Sequence, residues 1–150
     1  MSDKFSIAKV FFDSDALIAG SASRQGAAFI LLQLSELGLI QGFISPKVVD
    51  ECLKNLHDKL PDALPSFEQI VSHALTVLEN PSGEETAEYS KMAHQKDLPI
   101  LTAALRIKAH FLVTFNTKDF YPDSELGLIV LQPGDLIKRI RLRLSELSSE

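Results

Sequence analysis

The sequence lacks several features that would place it in a specialised class of protein. Only one cysteine occurs in 150 residues, so neither an internal disulfide nor a zinc site built from cysteines can form. Strongly apolar stretches are interrupted by polar or charged residues well before about 18 positions, so none is a candidate for a membrane-spanning helix. Residues 1–4 lack the basic start and apolar run of a secretion signal. We therefore expect a cytoplasmic protein.

A generally basic surface is also missing. The chain has 15 Lys and Arg against 20 Asp and Glu, which gives a net charge of −5. Domains that hold nucleic acid through phosphate attraction alone usually carry a basic surface. Any chemistry on nucleic acid must therefore depend on a local arrangement, such as carboxylates neutralised by divalent cations.

The composition is that of an ordinary globular domain. Apolar residues make up 45% and charged residues 23% of the sequence. A chain of this length can bury most of its apolar surface without disulfides or a structural metal. We predict a single domain over residues 1–150, with Cys52 as a buried apolar residue. The histidines have no metal-ligand spacing and are assigned to surface or capping roles; they are His57, His73, His94 and His110.

Short apolar runs alternate with patterns of helical spacing along the whole chain. Strands are predicted at 8–13, 39–44, 75–78, 111–115 and 127–131. Helices are predicted at about 27–37, from 46, across 67–74, at 84–94, at 97–109 and from 133, with a loop or helix interruption at 20–26. This alternation predicts a three-layer α/β/α sandwich with a mainly parallel central sheet. In such sheets ligands bind beyond the carboxyl ends of the strands.

Acidic side chains occupy equivalent places in this predicted fold. Asp13 ends the first strand, Asp119 follows a later strand, and Asp97 opens the helix between them. Glu51 lies near the beginning of the helix that follows the second strand. An Asp that opens a helix is more often a cap than a ligand. The joint placement of the four residues nevertheless predicts a shared acidic crevice.

Grouped carboxylates have a chemical consequence. They repel one another and take up protons unless a cation compensates, and a site made only of oxygen ligands favours Mg²⁺ or Mn²⁺. Such ions can generate hydroxide from bound water and stabilise the charge that develops on phosphorus. Hydrolysis of phosphodiester bonds is therefore the predicted reaction.

Four segments resemble, in order along the chain, the motifs of PIN-domain nucleases, a family that includes the VapC-type toxins of toxin–antitoxin pairs. The segments lie at 10–14, 45–51, 97–105 and 112–120, and the last is the most specific. The resemblance implies that Asp13, Glu51, Asp97 and Asp119 are the catalytic and metal-binding residues. It also implies an RNA substrate, a cognate antitoxin protein and a homodimer.

Other residues of these motifs are expected to support the acidic ones. Ser14 follows Asp13 in the first motif, and Thr114 and Asn116 would orient the acidic residues or metal waters by hydrogen bonding. Asp15 departs from the family pattern, which usually has Asn, Ser or another small residue there. It is either a further carboxylate around the metal or a helix cap, and we favour the cap.

Asp50 competes with Glu51 for the role in the second motif. The two residues lie about 100° apart around a helix, so both cannot point inward equally.

Two other functions compete with the nuclease prediction. A haloacid-dehalogenase-like phosphatase would use Asp13 as nucleophile and Asp15 as acid, two positions apart. However, Leu17 stands where that family has a small hydroxyl residue or valine, and its paired late carboxylates are not visible. A catalytically silent RNA- or protein-binding module is the second alternative. Four unneeded carboxylates in one crevice would destabilise such a module.

The basic cluster of the chain lies in the last predicted helix. It could hold RNA phosphates near the acidic site, meet an acidic segment of a partner protein, or form only a solvated helix face. Its members are Lys138, Arg139, Arg141 and Arg143.

Overall fold

Five short strands form one parallel sheet at the centre of the structure, a computed structural model that describes residues 6–148. The strands are β1 (Lys9–Phe12), β2 (Gln41–Ile44), β3 (Leu75–Val77), β4 (Phe111–Val113) and β5 (Ile129–Leu131). Their order across the sheet is β3-β2-β1-β4-β5, and every pairing is parallel. The predicted α/β architecture is confirmed; the ends of the predicted 1–150 domain lie outside the described residues.

Seven α-helices within residues 6–148 connect and cover the strands. They are α1 (Ser14–Ala22), α2 (Ala27–Glu36), α3 (Pro46–Lys59), α4 (Leu64–Ala74), α5 (Gly83–Ala87), α6 (Leu98–Arg106) and α7 (Pro133–Ser148). Helix α2 packs against α1, α4 and α7, which places these helices in one layer. The connection through α6 crosses the sheet in the opposite direction, so the right-handed rule for parallel strands places α6 on the other face. None of the helices in this range has the length and apolarity needed to span a bilayer.

Strand β1 is the centre of the core. Val10, Phe11 and Phe12 are fully buried because helices cover both faces of the sheet. Leu17, Ile100, Leu101 and Val113 are buried as well, whereas Phe29, Val49 and Val130 are half-buried. Cys52 is buried as predicted, and the four histidines are exposed.

Three predicted boundaries are wrong, two of them for a tertiary reason. Helix α1 continues through Gly20 to Ala22, because a glycine there allows α2 to approach; a Cβ would lie 2.5 Å from Leu32 Cδ1. The helix predicted at 84–94 ends at Ala87, since residues 92–94 bond to the segment after β4. The helix predicted to reach 109 ends at Arg106.

The close approach of β2 to its neighbours leads to a stability prediction. A Cβ on Gly42 would lie 2.6 Å from Ser35 Oγ and 2.7 Å from Leu75 Cδ2. The Ser35 hydroxyl cannot easily move, because it accepts a hydrogen bond from Gly42 N (2.9 Å) and donates one to the Ala74 carbonyl. We expect Gly42→Ala to lower the free energy of unfolding by about 1–3 kcal/mol in urea titrations, as overpacking does elsewhere. Gly134→Ala is the control, since its Cβ would meet no atom within 4 Å; equal effects of the two changes would contradict the packing argument.

Candidate active site

Asp13 lies at the carboxyl end of the central strand and is almost completely buried, with 6% of its surface exposed. Its N–H continues the sheet by donating to the Val113 carbonyl (2.9 Å). One side-chain oxygen accepts from Ser14 N (2.8 Å), and the other accepts from the Thr114 hydroxyl (2.9 Å). Strand β1 and two neighbouring elements therefore fix this carboxylate in one orientation.

The helix cap predicted at Asp15 is wrong, because Asp13 caps α1 instead. A cap residue has extended dihedral angles, and Asp13 has them (φ −74°, ψ 161°), whereas Asp15 already lies within the first helical turn. The Asp15 carboxylate accepts from Phe115 N (3.0 Å) and from Asn116 Nδ2 (3.2 Å). It thus contacts the turn after β4, and the sequence contains no local signal of this contact.

Two loops bring Asp97 and Asp119 towards each other. His94 N donates to the Asp119 carbonyl (3.0 Å), and Ala93 and Phe120 form an isolated antiparallel bridge. Asp97 stands at the N-cap position of α6, yet its side chain makes no capping hydrogen bond. The interpretation of Asp97 as a simple helix cap is therefore not supported.

Glu51 faces the other acidic residues from α3. This helix packs against both α1 and α6, which follow Asp13 and Asp97 respectively. Glu51 is half-buried and its carboxylate lies 3.7 Å from Lys47 Nζ, whereas Asp50 is exposed. Of these two neighbours, Glu51 is the one whose charge raises the pKa of Asp97.

Ser45 immediately precedes α3, at a position where serine commonly caps a helix. It is 1% exposed, but among residues 6–148 its hydroxyl has no hydrogen-bond partner. Asn80 Oδ1 accepts from Lys47 N instead (3.1 Å). A residue from the loop after β3 thus takes the capping role, a contact that no local sequence pattern indicates.

Charges on neighbouring acidic residues affect one another's pKa values. Burial, with the nearby charges of Asp15 and Asp97, raises the pKa of Asp13 to about 7. Burial also raises the pKa of Asp15. The pKa of Asp97 is raised by burial and by the charges of Asp119 and Glu51, against the opposing effect of Lys96. We call Asp13, Glu51, Asp97 and Asp119 the acidic group.

The chemistry of the acidic group fits a divalent cation, although its side chains are not gathered into a ligand set. Among residues 6–148, no three or more His, Cys, Asp or Glu side chains have an arrangement that would hold a metal ion. The potential ligands are all carboxylate oxygens, the donors that Mg²⁺ and Mn²⁺ prefer. In the same range, the only ion pair that involves the group is Lys47–Glu51. Within residues 6–148 the buried Asp13 carboxylate thus has no cationic partner, and a bound cation would supply one.

The structure does not bring the basic cluster to the acidic group. Helix α7 starts beyond the carboxyl end of β5 and runs back along the sheet. The Arg139 guanidinium lies 5.8 Å from the centre of the Phe111 ring, at the amino end of β4. Arg141 and Arg143 follow further along the helix, and both are exposed. The acidic residues lie at the opposite edge of the sheet.

A parallel sheet between helical layers, with acidic residues grouped beyond its carboxyl edge, defines an α/β sandwich protein with a candidate hydrolytic site. The family model of the PIN domain matches residues 9–118, which is most of the chain. The chain therefore belongs to the PIN-domain family. Asp13, Glu51 and Asp97 lie within the matched range, and Asp119 directly follows its last residue.

The fold is also similar to that of a solved structure. The chain resembles one in the crystal structure of VapBC2 from Rickettsia felis bound to a DNA fragment from their promoter, with a TM-score of 0.60 and 18% sequence identity. The similarity covers 81% of this chain and 96% of the other. At this identity the comparison establishes a shared fold. No curated protein sequence matches the chain.

The buried carboxylate of Asp13 leads to a prediction about pH. Because folding raises the pKa of Asp13 from 3.8 to about 7, the folded protein binds more protons than the unfolded chain between these values. The stability of the metal-free protein should therefore fall as pH rises from about 4 to 7. Asp13→Asn should remove much of this fall and raise stability at pH 8 by on the order of 2 kcal/mol. Urea unfolding between pH 5 and 8 with a chelator measures both effects.

Asp50→Asn is the matched control for this experiment, since Asp50 is acidic and exposed. It should leave the pH dependence unchanged. The same slope in wild type and Asp13→Asn would show that Asp13 does not carry the effect.

Proposed function

We propose that the protein is a metal-dependent endoribonuclease that hydrolyses RNA phosphodiester bonds. The observation that carries the proposal is the buried Asp13 carboxylate, which has no cationic partner among residues 6–148 and is electrostatically coupled to Asp97 in a PIN-family chain. A purely structural role would not explain this arrangement, because burial and nearby negative charges disfavour the charged forms of Asp13 and Asp97. A site for cations gives these carboxylates a function.

We assign a proposed role to each residue of the site. Asp13, Glu51, Asp97 and Asp119 would hold Mg²⁺ or Mn²⁺. A divalent cation bound there would lower the pKa of a coordinated water and stabilise charge on the phosphate. Thr114 holds the Asp13 carboxylate by its hydroxyl. Ser14 N donates to the same carboxylate, so its orientation is set before any ligand binds.

The geometry disfavours the phosphatase alternative. The expected general acid, Asp15, accepts hydrogen bonds from the turn after β4. Its carboxylate is therefore already hydrogen-bonded within the protein.

The proposal is tested by cleavage of an RNA pool by purified protein. RNA should be cut with Mg²⁺ or Mn²⁺ and left intact after chelation, because a cation supplies charge stabilisation that carboxylates cannot. Asp13→Asn and Asp97→Asn should each lower cleavage by a factor on the order of a hundred or more, since each removes a charged ligand but keeps the shape. Asp50→Asn should retain activity.

The competing functions give different results in the same experiment. A phosphatase would release phosphate from a generic phosphomonoester and leave RNA intact. A silent binding module would act on neither substrate and would show no heat of Mn²⁺ binding in calorimetry. Either result would contradict the nuclease proposal.

We also propose a protein partner of the antitoxin class, and a homodimer remains an expectation. The similar structure from Rickettsia felis is described as VapBC2 bound to a promoter DNA fragment, and this chain shares its fold. The cytoplasmic location likewise stays a prediction. Co-expression with the product of a neighbouring small gene, followed by purification through one tagged partner, tests the antitoxin proposal.

The position of the basic cluster leads to a prediction about RNA length. Strands of three or four residues are roughly 10–13 Å long, so an RNA that reaches both the acidic group and Arg141 must span the sheet. Arg141→Ala should therefore weaken binding of an RNA of about 20 nucleotides and reduce the salt dependence of its affinity. A dinucleotide, which is too short to span the sheet, should bind wild type and variant alike. Fluorescence anisotropy with both RNAs measures the difference.

Lys54→Ala is a control for this experiment, because Lys54 is an exposed cation on α3. If Arg141→Ala changes neither RNA, α7 does not contact the substrate. In that case the basic cluster either meets an acidic segment of a partner protein or forms only a solvated helix face.

A further inference from the structure

We propose that Asp15 is a positioning residue that fixes the turn after β4 and so aligns Thr114 and Asp119 with Asp13. The metal-binding part of this inference rests on the proposed function, whereas the part about the turn does not. Asp15 is the position at which the first motif departs from the usual family pattern. Its role is therefore specific to the residues of this chain.

The Asp15 carboxylate accepts hydrogen bonds from the turn after β4. Oδ2 accepts from Phe115 N (3.0 Å) and from Asn116 Nδ2 (3.2 Å). Both of its oxygens lie 3.4 Å from Thr114 Oγ1. Three consecutive residues after β4 are thus held by one side chain of α1.

These contacts continue to Asp13 through Thr114. A hydroxyl has one proton to donate, and Thr114 Oγ1 lies closer to Asp13 Oδ2 (2.9 Å) than to Asp15 (3.4 Å). The proton is therefore directed to Asp13. Asn116 N donates to Thr114 Oγ1 (3.1 Å), which completes a ring of contacts between α1 and the turn.

The same turn leads directly into Asp119. The Asn116 carbonyl accepts a hydrogen bond from Asp119 N (3.0 Å). This bond closes the short 3-10 helix Thr117–Asp119, which is one turn long. Because Asp15 holds Asn116, it also limits where the Asp119 carboxylate can lie. In this way Asp15 connects two members of the acidic group without belonging to it.

The hydrogen bonds also argue against Asp15 as a metal ligand. Its Oδ2 already accepts from two donors. A cation at that oxygen would have to displace Phe115 N and Asn116 Nδ2, which would release the turn. An amide oxygen could replace Oδ2 in both hydrogen bonds, because each needs only an acceptor. An asparagine at position 15 should thus preserve the positioning role. If Asp15 were a metal ligand instead, the same substitution would remove the charge that binds the cation.

The experiment compares Asp15→Asn with Asp15→Ala. The first measurement is hydrogen exchange of the Phe115 amide by NMR without metal, which does not depend on any activity. Protection of this amide should be retained in Asp15→Asn and fall by a factor on the order of ten or more in Asp15→Ala. Unchanged protection in Asp15→Ala would overturn the proposal.

The second measurement is Mn²⁺ affinity by titration calorimetry, well below the melting temperature of each variant. Removing a residue that orients ligands typically costs 10–100-fold in metal affinity, and we expect such a loss for Asp15→Ala only. Equal losses in both variants would identify Asp15 as a ligand. A lower melting temperature with unchanged Mn²⁺ affinity would reduce its role to a structural one. Both results contradict the positioning role.

A double-mutant cycle separates the turn from other effects of Asp15. Asn116→Ala removes the amide that donates to Asp15, so its effect on Mn²⁺ affinity should overlap with that of Asp15→Ala. Strictly additive losses would contradict the connection through Asn116. If wild-type protein binds no Mn²⁺, the proposed function fails, and the exchange of the Phe115 amide alone decides whether Asp15 fixes the turn.

Discussion

The burial of the Asp13 carboxylate at the end of the central strand is the constraint on which the rest of the site depends. Strand β1 lies between β2 and β4 and is covered by helices on both faces, and this position carries Asp13, the residue after the strand, into the interior. A buried carboxylate needs donors, and Ser14 N and Thr114 Oγ1 provide them. Both hydrogen bonds orient the carboxylate and lower its pKa, but burial and the nearby charge of Asp15 outweigh them and raise the pKa to about 7.

The remaining members of the acidic group come from different elements. Glu51 comes from a helix that packs on both α1 and α6, while Asp97 and Asp119 come from loops joined by the hydrogen bond from His94 to Asp119. Each element adds charge to a region that already disfavours it. Such an arrangement costs stability unless a cation offsets the repulsion, which is why we connect the site to metal-dependent chemistry.

The sheet separates two surfaces of opposite charge. The acidic group lies beyond the carboxyl ends of the strands, whereas α7 carries its arginines towards the amino ends. Any RNA cut at the acidic edge must therefore be held there mainly by local contacts and bound cations. Because α7 is remote from that edge and its arginines are exposed, it remains available for a longer RNA or an acidic partner.

The sequence by itself determined the alternation of strands and helices and the positions of Asp13, Glu51, Asp97 and Asp119 within it. These features follow from local periodicity and from order along the chain, which neighbouring residues specify. The partner of Asp15 could not be predicted, since Asp15 and Phe115 are 100 positions apart and meet only when β1 and β4 pair. For the same reason, the choice of Asn80 over Ser45 as the cap of α3 and the early end of α5 were decided by the tertiary structure. In each case a backbone group has a local and a distant hydrogen-bond partner available, and only the folded chain determines which of them is close enough to bond.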